Sequence, residues 1–95
     1  MKKIALQAEL PVFIFREGKS FIAYTPALDL STVGKTYQEA RKRFREAANI
    51  FFEEIVDRGT IEEVLSENGW QRKGSSAWTP PVFVGRELQA ITLTT

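Results

Sequence analysis

The sequence of 95 residues contains neither cysteine nor histidine. Cysteine- and histidine-ligated zinc, disulfide frameworks and thiol redox chemistry therefore have no ligands or sulfurs to use. Ser-His-Asp and Cys-His nucleophiles are excluded as well, because the general base is missing. Charge of one sign is also lacking: 13 lysines and arginines face 12 aspartates and glutamates, a net of +1. A bulk charge for gripping a polyanion is thus absent. No apolar run approaches the ~18 residues of a membrane span. Met1-Lys2-Lys3-Ile4 is basic like the start of a leader, but Gln7 and Glu9 interrupt the apolar stretch behind it, and no signal peptide is expected. Internal repeats and low-complexity tracts are lacking too. What remains is 43% hydrophobic and 26% charged, a globular balance that argues against disorder. The length suits one compact domain, expected to be soluble and cytoplasmic.

From Ile4 to Phe15 the apolar residues alternate. Ile4, Leu6, Ala8, Leu10, Val12 and Ile14 share one parity, as in a strand with one buried face. Pro11 cannot donate to a ladder and predicts an edge or a bulge there. Glu17-Gly18-Lys19 predicts a hairpin turn, and Ser20 to Thr25 resumes as strand until Pro26. A third short strand is expected over roughly 28–33. Thr36 followed by Glu39 is a capping box, and behind it Tyr37, Ala40, Phe44, Ala47, Ala48, Phe51 and Ile55 form a stripe at helical spacing. Gly59 ends that helix, and Thr60 with Glu63 opens a shorter one that Gly69 closes. Residues 71–76 read as a polar, flexible connector, and Val82 to Val84 and Leu88 to Thr94 favour strand. The expected fold is α+β in the order β-β-β-α-α-β. It has one mainly antiparallel sheet packed on one long helix, with the last strand returning to the sheet.

Pro26-Ala27-Leu28, followed by Gly34-x-Thr36-x-x-Glu39-Ala40, resembles the HicB antitoxin family. The preceding hairpin, Phe15 to Tyr24, is similar to the family's first two strands. The resemblance covers about residues 4–70 of a single domain, 1–95, leaving 71–95 as a linker and a C-terminal strand. It implies a partial RNase H-like fold and a protein that binds and blocks HicA, a small RNA-cleaving toxin. Many family members add a C-terminal DNA-binding domain. Residues 71–95 hold no helix-turn-helix or ribbon-helix-helix pattern, so direct DNA binding is not expected. Asp29-Leu30-Ser31-Thr32 also departs from the proline-glycine-cysteine-like turn common in the family.

No catalytic, cofactor or metal residues are assigned. A two-metal nuclease needs acidic side chains converging from strands, and the expected strands offer only Glu9 and, near a loop, Asp29. Glu53, Glu54 and Asp57 read as a solvated helix face. In Arg41-Lys42-Arg43-Phe44-Arg45, Arg41 and Arg45 share a face and are the candidate charged patch for a partner. The competing reading is a solvated face, with Glu39 and Glu46 neutralising Arg43 and Lys42. Phe13 and Phe15 are expected on the sheet face away from the helix, where Phe21 or Tyr24 joins them as a candidate interface. The alternative is that the second helix or the Trp78-to-Val84 segment covers that face. The function expected is therefore a non-enzymatic binding module, HicB-like and blocking a HicA-like toxin by burial. The alternatives are a structural or regulatory homo-oligomer (dimer or tetramer) with no toxin and, behind both, an RNA-binding or nuclease domain.

Overall fold

A computed structural model describes residues 9–74 and 77–94. In chain order its elements are β1 (Phe13–Glu17), β2 (Ser20–Thr25), β3 (Leu30–Gly34), α1 (Tyr37–Asp57), α2 (Ile61–Glu67), β4 (Gln71–Lys73) and β5 (Ala77–Thr79). The α+β order is the one the sequence predicts. β1, β2 and β3 form an antiparallel sheet with β2 in the centre, and β4 and β5 form a separate antiparallel pair.

Three boundaries differ from expectation. Within the described residues the first strand begins only at Phe13, just beyond Pro11, whose missing N–H cannot join a ladder; Ile4 to Ala8 lie outside the described residues. Of the connector expected over 71–76, residues 71–73 instead form a strand paired with Ala77–Thr79, and residues 75 and 76 lie outside the described residues. Thr79 donates its hydroxyl to the Gln71 carbonyl at 3.1 Å, the Arg72 guanidinium stands 5.8 Å from the Trp78 ring centre, and Arg72 pairs with Glu62 of α2. Finally, residues 82–94, expected as a returning strand, have no regular secondary structure and join neither sheet. Strand propensity reports fit to a pleated surface and does not supply the pairing edge.

The hairpin turn sets which side chains share a face. Gly18 and Lys19 form a two-residue connection that places Glu17 opposite Ser20. Ile14, Ala23 and Thr32 therefore stand in line across the sheet, next to Arg16, Phe21 and Gly34. This is the face that α1 covers: Ala23, Ala40, Phe44, Ala48, Ile55, Leu65 and Trp70 belong to the buried core, with Leu10, Ile14, Phe21 and Leu30 packed against it. Thr32 donates to the Ala40 carbonyl at 3.2 Å, fixing the helix over β3.

The start of α1 is built as its sequence predicts. The Thr36 hydroxyl accepts from Glu39 N–H at 3.0 Å, and the Glu39 carboxylate reaches back to Lys35 N–H at 3.3 Å. Changing Thr36 to alanine should cost about 1 kcal/mol in denaturant unfolding, the usual loss of an N-cap side chain. Thr60 does not repeat the box. Its N–H is bound to the Ile55 carbonyl at 2.9 Å with φ −110° and ψ 19°, so it is not extended and makes no side-chain cap. Tyr37 also leaves the expected stripe and is half exposed, its ring lying beneath Arg41.

The end of α2 positions the largest core side chain. Trp70 N–H bonds the Leu65 carbonyl at 2.9 Å and Gly69 N–H bonds the Ser66 carbonyl at 3.2 Å, with Gly69 at φ +86°. This is a Schellman closure, which needs a residue at ease in the left-handed region. It turns the Trp70 indole into the core, where its N–H donates to the Ala27 carbonyl at 2.7 Å and its ring meets Phe52 edge-on at 6.2 Å. The Pro26-Ala27-Leu28 turn is thereby pinned to the far end of the helical layer, with Ala27 and Leu28 buried.

Candidate interaction surface

The sheet face turned away from α1 carries Phe13, Tyr24 and Ser31 in one row and Phe15, Ile22 and Val33 in the next. Phe15 is 54% exposed and Val33 50%, and Phe13, Ile22 and Tyr24 are partly exposed. Phe13, Phe15 and Tyr24 stand where the sequence places them. Phe21 does not: it pairs with Arg16, one residue out of phase with Tyr24, and packs against the core beneath α1. Ile22 takes the place Phe21 was expected to fill, and Val33 extends the patch from β3. Both assignments come from alternation once the hairpin register is fixed. The face is neither wholly open nor covered, because Phe83 packs edge-on against Phe13 with ring centres 5.1 Å apart.

Tyr24 gives this face its polar handle. Its hydroxyl donates to the Asp29 carboxylate at 3.1 Å, with Asp29 held at φ +49°. Burial of the phenol raises its pKa above the usual 10.0, and the hydrogen bond and negative charge of Asp29 push it further the same way. The folded state thus holds this proton more tightly than the unfolded chain does. The resulting stability is complete below pH 10 and is lost as pH rises through the folded value. Asp29→Asn keeps a residue tolerant of positive φ and should lower the Tyr24 midpoint, read by phenolate absorbance, while leaving burial as the remaining cause of the shift.

Around the edge of β1, on the α1 side, lies an open groove of about 450 Å³. Leu10, Val12 and Ile14 form one wall, Phe44 and Phe52 of α1 the other, and Arg41 and Arg45 stand over it. The two arginines do share a face. Arg41 donates to the Gln38 side chain at 3.2 Å and its guanidinium lies 6.0 Å from the Tyr37 ring centre, while Arg45 has no ion-pair partner among the described residues. Arg43 is occupied, pairing with Glu39 at 3.1 Å and donating to the Val33 carbonyl at 3.0 Å. The expected Lys42–Glu46 pair is not formed.

No family model, curated protein or solved structure matches this chain. What the chain can do must therefore be read from its own surfaces. Among the described residues no group of three or more carboxylates comes together to hold a metal ion. No helix there is long and apolar enough to cross a membrane. Glu9 is exposed ahead of β1, and Asp29 is engaged by Tyr24. The helix-free face offers apolar area with a tyrosine, and the groove on the α1 side offers apolar walls under two arginines, chemistry suited to contact with another protein.

Proposed function

We propose that the chain is a non-enzymatic protein-binding module, a HicB-like antitoxin or orphan relative, that neutralises a small RNA-cleaving toxin in the cytoplasm by covering it. One observation carries the reading: the helix-free sheet face presents Phe13, Phe15, Ile22, Tyr24 and Val33 together. An apolar patch of this kind on a small domain marks an interaction site. The residues behind the family resemblance give further support, since they act as structural joints. Gly34 lies against the backbone of Ala40, Thr36 caps α1, and the Ala27 carbonyl receives the Trp70 indole. Arg41 and Arg45 sit at the neighbouring groove, where they suit an acidic rim on the partner.

Co-expression with the product of the adjacent reading frame tests this proposal. The expected result is co-purification of a small basic protein whose toxicity the chain relieves. Failure to bind such a product would remove the toxin from the account. A structural or regulatory homo-oligomer with no toxin is the second reading, favoured by the exposed aliphatic residues beyond Pro81.

A further inference from the structure

Residues 82–94 are anomalous for a chain with so small a core. Val82, Val84, Leu88, Ile91 and Leu93 are between 82% and 94% exposed, although all are aliphatic and three are β-branched strand formers. Pro80 and Pro81 stiffen the approach and Phe83 anchors it on Phe13, so the segment leaves the body beside the start of β1. The molecule is drawn out to 55 × 30 × 23 Å, with a radius of gyration of 16.0 Å. A compact domain of this length would have about 12 Å.

Among the described residues the chain also carries a strand edge without a partner. Within the three-stranded sheet β1 and β3 are the edges. Arg43 already donates to a β3 carbonyl, whereas β1 has β2 alone as a ladder neighbour among the described residues. Along β1 the groove side carries Ile14 and Arg16, with Val12 just ahead of the strand, and the helix-free side carries Phe13 and Phe15. The arm matches that edge in an unusual respect. Its apolar residues occupy both parities, Val82, Val84 and Leu88 on one and Phe83, Ile91 and Leu93 on the other. Beside β1, one parity would lie over the groove and the other next to the exposed ring of Phe15.

We propose that residues 82–94 are an exchange arm: in a two-fold pair, each arm adds as a strand to the free edge of β1 in the other copy. Unpaired N–H and C=O groups along β1 would be satisfied, and the arm's two apolar parities would lie over the groove and beside Phe15. Burying five aliphatic side chains per arm removes about 60–120 Å² each. With two arms and the equal areas they cover, the pair buries roughly 1,200–2,400 Å², which is what a stable dimer needs. The exchange occupies the edge of β1 and leaves Ile22 and Val33 uncovered. It does not rest on the toxin reading, and its test involves no toxin.

Light scattering and amide hydrogen exchange on the full chain at about 1 and 100 μM make the test, since mass action separates the states. The expected mass at the higher concentration is twice the monomer's 10.8 kDa, with protection of the amides from Leu88 to Leu93 rising about tenfold or more between the two. The double variant Ile91→Asp, Leu93→Asp should weaken pairing about a hundredfold or more while α1 keeps its protection, because both positions are exposed in the single chain. A single-chain mass at both concentrations would overturn the proposal. So would arm protection independent of concentration, which means a strand within one chain, or a pair that survives the double variant.

Discussion

The Gly34→Ala variant is expected to lose a large fraction of the domain's stability. A Cβ at this position would stand 2.5 Å from Ala40 N, 2.9 Å from Ala40 Cα and 2.9 Å from the Glu39 carbonyl carbon. All three are backbone atoms of the first turn of α1, so no flexible side chain can swing away. Relief requires lifting the helix from β3, which breaks the Thr32–Ala40 hydrogen bond and uncovers Ala40. Overpacking against fixed backbone costs at least the ~3 kcal/mol seen at the upper end for cores. Against a total of about 5–15 kcal/mol, that is a large fraction for a domain this small. Urea unfolding should show a strongly lowered midpoint with an unchanged slope. A loss below about 1 kcal/mol would mean that the junction is not tight.

Truncation of Trp70 is the second large effect. Trp70→Ala empties the place between Phe52 and the Ala27 turn and should cost about 3–5 kcal/mol. Trp70→Phe retains much of the packing but leaves the buried Ala27 carbonyl without its donor, at about 1–3 kcal/mol. The alanine variant should therefore be clearly worse than the phenylalanine variant. Equal losses would assign the whole contribution to the hydrogen bond. Two small losses would contradict the role of Trp70 as the clamp joining α2 to the turn before β3.

Gly34 and Trp70 also mark how far the sequence could be read. The β3–α1 junction was legible because its chemistry is local: Thr36 and Glu39 are three residues apart and bond within one helical turn. The length of α1 was legible from its apolar period, although Tyr37 shows that the end of a stripe need not be covered. The helix-free face was legible only in part. Phe13 and Phe15 are placed by alternation within one strand, but Phe21 and Tyr24 lie across a turn. A shift of one residue there exchanges their faces. The two-residue connection through Gly18 and Lys19 decides for Tyr24 and Ile22, and a polar triplet containing glycine does not reveal its own length. Beyond Trp70 the signal failed for a different reason. The Arg72–Trp78 contact that helps hold β4 to β5 joins residues whose polar surroundings read as loop. The strand formers after Pro81 name a conformation without naming a partner.

The helix-free sheet face is the proposed binding surface of a module that would block another protein's chemistry. Titrating the purified chain into an RNA-cleavage assay of the proposed toxin, sought as the product of the adjacent reading frame, tests this most directly. Cleavage is expected to stop near equal amounts of the two proteins. Phe13→Ser with Phe15→Ser is expected to weaken inhibition about a hundredfold or more, as loss of two aromatic anchors should, while the domain stays folded. Inhibition by the double variant as strong as by the unaltered chain, or cleavage untouched by either, would contradict it.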